Sequence, residues 1–89
     1  MSYNRERLNE MLDGCDALLL EPPVFDEAVI GICERAGGLR VVAYDRSRVV
    51  DILARDMERE DAEEWFEFNT IGAWMGEGTP VFIDTRPLE

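Results

Sequence analysis

Phe25–Asp45 reads F-D-E-A-V-I-G-I-C-E-R-A-G-G-L-R-V-V-A-Y-D, and the way it divides decides the fold. Asp26 is a residue type that caps helix N-termini. Phe25 just before it and Ile30 at the fourth helical position stand where a hydrophobic staple clasps a first turn. Phe25, Ala28, Val29, Ile32, Cys33 and Ala36 recur at helical spacing. These signs predict a helix over 26–36, stopped by Gly37-Gly38. Leu39–Tyr44, L-R-V-V-A-Y, is rich in β-branched and aromatic residues and predicts a strand.

Upstream, Leu8, Met11 and Leu12 predict a helix over 3–13 with Gly14 at its C-terminal cap. Cys15, Leu18 and Leu19 continue that spacing, so 15–20 read equally as a further helical turn or a short buried strand. Pro22-Pro23 end whichever it is. Downstream, Asp45 caps a predicted helix over 46–57 whose stripe is Val49, Val50, Ile52, Leu53 and Met57. Asp51 and Arg55, four apart with the acid first, form a surface pair.

After a polar break at 58–60, a fourth helix runs to about Met75. Ala62, Trp65, Phe66, Phe68, Asn69, Gly72, Ala73 and Met75 fall on one half of it, and Glu63, Glu67, Thr70 and Trp74 on the other. Asn69, inside the apolar half, reads as a buried amide bonded to neighbouring backbone. Gly76-Glu77-Gly78 ends the helix. Pro80–Asp84 is a second strand, partner to 39–44 in either direction. The sum is one compact α+β domain over 1–89: about four helices packed on a small sheet of two, at most three, strands.

Twenty acidic residues face nine basic ones, all arginine, for a net charge of −11 with no lysine and no histidine. Hydrophobic residues make up 46%, too many for a disordered acidic tail. Residues 1–34 are net −6, 35–59 net +2 and 60–89 net −7, so the acidity sits at two ends around a weakly basic middle. A chain of this sign repels nucleic acid and attracts basic protein surfaces. No apolar run reaches the roughly 18 residues that span a bilayer, and M-S-Y-N-R-E-R at the start lacks a signal peptide's apolar stretch. The expected location is the cytoplasm, with no membrane partner. Cys15 and Cys33 are expected reduced and buried there. A domain this small buries little core, so self-association would help it, and both monomer and homodimer fit.

Without histidine the commonest general base and metal ligand is missing. Two isolated cysteines make no zinc site. G-E-G at 76–78 carries the wrong sign for a phosphate loop, and no calcium loop appears. Asp26-Glu27 and Asp61, Glu63 and Glu64 read as acids in helix first turns, where the dipole favours them. A non-enzymatic protein without cofactor or metal is therefore expected. The alternatives are a salt-adapted accessory protein whose acidity has no function and, least favoured, a carboxylate-based enzyme of divalent metals. Glu60, Glu63, Glu64 and Glu67 make a carboxylate row at helical spacing, continued by Glu77 and flanked by Trp74. These six are the expected partner-binding residues, suited to the basic surface of another protein.

F-D-E-A-V-I-G at Phe25–Gly31, V-V-A-Y-D at Val41–Asp45 and W-F-E-F-N-T-I-G-A-W-M-G-E-G-T-P at Trp65–Pro80 form an ordered pattern over residues 22–83. The pattern resembles a group of small bacteriophage and bacterial proteins carrying F-D-E-A-(I/V)-(I/V)-G, Y-D and E-F-F-E-F-N-x-x-G-A-(Y/W)-x-G-E-x-T-P. The group's F-F is Trp65-Phe66 here. The resemblance implies a phage or prophage setting and nothing catalytic. Joined to the charge, it leads to the expectation of an acidic interaction module acting in the host cytoplasm. In its specific form this is a nucleic-acid mimic inhibiting a host defence complex of the CRISPR or restriction kind.

Overall fold

Val29–Glu34 is a strand, β1, and not the body of a helix. The computed structural model describes residues 3–71 and 75–86. In it Phe25 and Asp26 belong to a single 3-10 helix, Pro23–Ala28, which leads straight into β1. β1 runs antiparallel to β2, Arg40–Asp45, with Ile32 opposite Val42 and Cys33 opposite Val41. The turn between them accounts for the correction. Gly37 and Gly38 have φ of +93° and +86°. Gly38 N–H donates to the Arg35 carbonyl (3.0 Å), and Arg35 N–H donates to that of Leu39 (2.7 Å). Only glycine takes successive positive φ values without strain. The same Gly-Gly that reads as a helix stop thus makes a hairpin. Val29, Ile30 and Ile32 are β-branched and favour the extended backbone once a partner strand is beside them. Ile30, expected to staple a helix start, sits at a register shift in β1 and is 45% exposed.

β3, Val81–Ile83, lies parallel to β2 with Tyr44 opposite Phe82, giving a three-stranded mixed sheet in the order β1-β2-β3. Parallel neighbours require a long crossover. It is supplied by α2, Arg46–Leu53, and α3, Arg59–Phe66, which widens into a π-helical turn over Glu67–Ile71. Asp45 caps α2 as expected, its Oδ1 accepting from the N–H groups of Ser47 (3.0 Å) and Arg48 (3.4 Å). The first helix, α1, is Arg5–Met11 and starts on Asn4, whose side chain accepts from Arg7 N–H at 2.7 Å.

Residues 15–20 are neither helix nor strand. They are held by Leu18 N–H on the Gly78 carbonyl and Leu20 N–H on the Tyr44 hydroxyl, each at 2.9 Å. Cys15 and Cys33 are free thiols and half-buried, less enclosed than expected. One hydrophobic cluster joins Leu8 of α1, Phe25, Val42 and Tyr44 of β2, Val49 and Val50 of α2, and Phe66 of α3. The Phe82 ring of β3 closes it, edge-on to Phe66 (5.1 Å between centroids) and stacked on Tyr44 (5.8 Å). The class is α+β, helices packed on a small sheet.

Two expected surface roles change partners. Asp26 does not cap a helix. It is buried and takes two bonds from the Arg5 guanidinium, each at 3.1 Å. Arg5 also donates to Glu21 (2.8 Å) and to the Leu20 carbonyl (3.1 Å), so one side chain ties α1 to the 20–26 segment. Bonding to Asp26 raises the guanidinium's pKa well above its ordinary value, so it stays charged at any pH where the protein is folded. Asp51 and Arg55 do not pair with each other: Asp51 meets Arg59, and Arg55 meets Glu27 at 2.9 Å. The 3-10 helix supplies Glu27 and the first residue of α3 supplies Arg59.

Candidate functional site

α3 begins without a side-chain cap, but Glu60 and Asp61 in its first turn complement the helix dipole. Ala62 and Phe66, four apart, are its buried residues, which fixes which side faces out. Glu60 and Glu64 lie on that outer side, exposed, and are in no ion pair among the described residues. Glu63 is half-buried and Glu67 exposed; both converge on Arg46 at the start of α2, at 3.8 Å and 3.4 Å. The same guanidinium lies 4.9 Å over the Phe66 ring, an arrangement that favours a cation there. The α3 row therefore has two free carboxylates, Glu60 and Glu64. Its other two are partly neutralised by an arginine that also pins α3 to α2.

Glu77 is exposed in the turn before β3, its carbonyl accepting from Arg35 at 3.3 Å. Its side lines a different cleft of about 220 Å³, with Asp16, Leu39 and Arg40. It does not share a surface element with the α3 row. Trp74 lies outside the described residues.

The apolar half expected of the fourth helix is not buried as a unit. Trp65 is 43% exposed, Phe68 79% and Met75 68%. Asn69 is exposed as well, and its amide donates back to the Trp65 carbonyl at 3.2 Å instead of satisfying a buried neighbour. Phe68, two residues and about 200° on from the buried Phe66, falls on the far side even of a regular helix, and the wider winding of the π-helical turn carries Asn69 further from Phe66 as well. Sequence reasoning missed these exposed aromatics. The available signal was Asn69 itself, a polar residue in the middle of the supposed core stripe.

Trp65, Asn69 and Met75 form one wall of a cleft of about 140 Å³ whose floor includes Phe25, Val49 and Phe82, with Glu21 at its rim. Trp65 thus links the apolar cleft it lines to the unpaired Glu64 one residue before it and the exposed Phe68 three residues after it. Isolated exposed apolar residues are ordinary, whereas a group of large ones edged by charge marks an interaction surface. Among the described residues no group of three or more His, Cys, Asp or Glu is placed to hold a metal ion, and no helix is long and apolar enough to cross a membrane. No protein-family model, curated protein or solved structure matches this chain.

Proposed function

We propose that the protein is a non-enzymatic interaction module that docks its α3 face on a basic surface of another protein. The observation that carries this reading is the placing of the partly exposed Trp65 and the largely exposed Phe68 one and four residues after the unpaired Glu64, itself one turn on from the unpaired Glu60. The carboxylates supply attraction and orientation; the aromatics supply the apolar anchors that dominate binding energy at interfaces. Arginine is the partner group that serves both, since it donates to carboxylates and stacks on aromatic faces.

The specific form of the proposal is a mimic of nucleic acid. The free Glu60 and Glu64, with the exposed Glu67 that is shared with Arg46, line up along about 10 Å of helix, in a chain of net charge −11. A basic track built for phosphates would accept such a row. The resemblance to small phage and bacterial proteins supports a phage-encoded inhibitor of a host nucleic-acid-binding defence complex. The test is affinity capture from bacterial lysate with the wild type and with a Glu60→Lys, Glu64→Lys, Glu67→Lys variant. A nucleic-acid-binding protein retained by the first and lost by the second supports the reading. Identical retention by both rules out the α3 face.

A further inference from the structure

The sheet has one long open edge. β3 is only three residues long, whereas β1 spans six, and among the described residues β1 has β2 on one side only. Arg35 and Leu39 form the bonded pair next to the turn. Bonded and non-bonded pairs alternate along an antiparallel ladder, so the Glu34–Arg40 and Ile32–Val42 pairs are non-bonded. The N–H and C=O groups of Ile32 and Glu34 therefore point away from β2. Among the described residues nothing bonds to them. The common guards of an open edge, lysine, proline or an inward charge, are missing from V-I-G-I-C-E, which has only the register shift at Ile30 and a terminal Glu34.

Two further observations indicate what covers this edge. A Cβ built on Gly31 meets nothing within 4 Å, so the fold of one chain does not require glycine there. Glycine within a strand marks either a bulge, and Gly31 does flank the register shift, or a place where another backbone approaches closely. The hairpin 29–44 carries Glu34, Arg35 and Arg40, net +1, in a molecule of net −11. The edge is thus where two copies of this chain repel one another least, and it offers no charge complementarity to a strongly basic or acidic strand.

We infer that β1 pairs antiparallel with β1 of a second copy, joining two three-stranded sheets into one of six across a two-fold axis. Such a contact is isologous and closes on itself, so it ends at the dimer. Both α3 faces remain free, and the assembly is a bivalent acidic binder. The contact area is small, at the low end of specific interfaces, which places the dimer among the weak, concentration-dependent ones.

The experiment is sedimentation of the full chain from micromolar to millimolar concentration, at low and at molar salt. Wild type should rise up to two-fold in average mass, and more readily at molar salt, because screening relieves repulsion between two acidic chains. Docking on a basic partner has the opposite salt dependence, so the two interactions fail independently. Glu34→Pro removes an outward N–H without touching a β1–β2 bond and should abolish the rise; Glu34→Ala should keep it. Should Glu34→Pro not fold, amide exchange of wild type decides alone. The Ile32 and Glu34 amides should slow several-fold with concentration. A mass that stays monomeric throughout, a Glu34→Pro chain that associates like wild type, or amides at Ile32 and Glu34 that ignore concentration would each overturn the inference.

Discussion

Arg5 shows how one side chain organises a small domain. Its guanidinium spends four contacts on Asp26, Glu21 and the Leu20 carbonyl, binding α1 to the segment that precedes the sheet. Asp26 is buried, so removing its partner leaves an uncompensated charge out of water. Arg5→Ala should destabilise by about 3 kcal/mol, the lower end for a broken buried pair because Arg5 itself is partly exposed. Glu21→Ala, which loses only a solvent-exposed partner, should cost under about 1 kcal/mol. Denaturant unfolding of the two variants gives the comparison. Tyr44 makes a second residue-scale prediction. Burial raises its phenol pKa, so the folded state disfavours the phenolate. The sign follows directly: the stabilisation is complete below the unfolded value of about 10 and is lost as pH climbs beyond it. Unfolding midpoints across that alkaline range should fall in wild type and fall less in Tyr44→Phe. That variant starts from lower stability, because the Leu20 N–H loses its acceptor.

At the scale of elements, the sharpest dependence is on the β1–β2 turn. Gly38 at φ +86° tolerates no β-branched replacement without strain. Gly38→Val should cost about 2 kcal/mol, and thermal unfolding will show it as a lowered midpoint. This turn also explains what the sequence could and could not convey. Asp45 was readable as a cap because its bonds reach only two and three residues away. The strands at 40–45 and 81–83 were readable from their β-branched and aromatic content. Residues 26–36 were not, because their apolar spacing and cap residue satisfy a helix while the pairing that makes them a strand comes from Val41–Tyr44 across the turn. The Arg5–Asp26 tie spans 21 residues and leaves no local trace. The outer face of α3 was legible in its carboxylates but not in its aromatics, because sorting residues into two halves of a helix is too coarse to separate Phe68 from Phe66, and a single π-helical turn is too short to leave a repeat in the sequence.

For the whole molecule, the question is what its acidity attracts. Phe68 contributes little to the fold, being 79% exposed, so Phe68→Ala should leave stability within about 0.5 kcal/mol of wild type. On the proposed reading it is an anchor at the interface, and the same variant should weaken partner binding by about 2 kcal/mol, roughly thirty-fold. Parallel unfolding and titration measurements separate the two effects. Reversing Glu60, Glu64 and Glu67 to lysine moves the net charge from −11 to −5, each change contributing +2. Association with a basic partner should slow and lose most of its salt dependence. The most direct measurement is competition: the captured partner is challenged on the immobilised protein with increasing double-stranded DNA. The account predicts that DNA releases the partner and that the released protein binds the DNA, because both ligands occupy one basic track. A partner that stays bound under saturating DNA would contradict it.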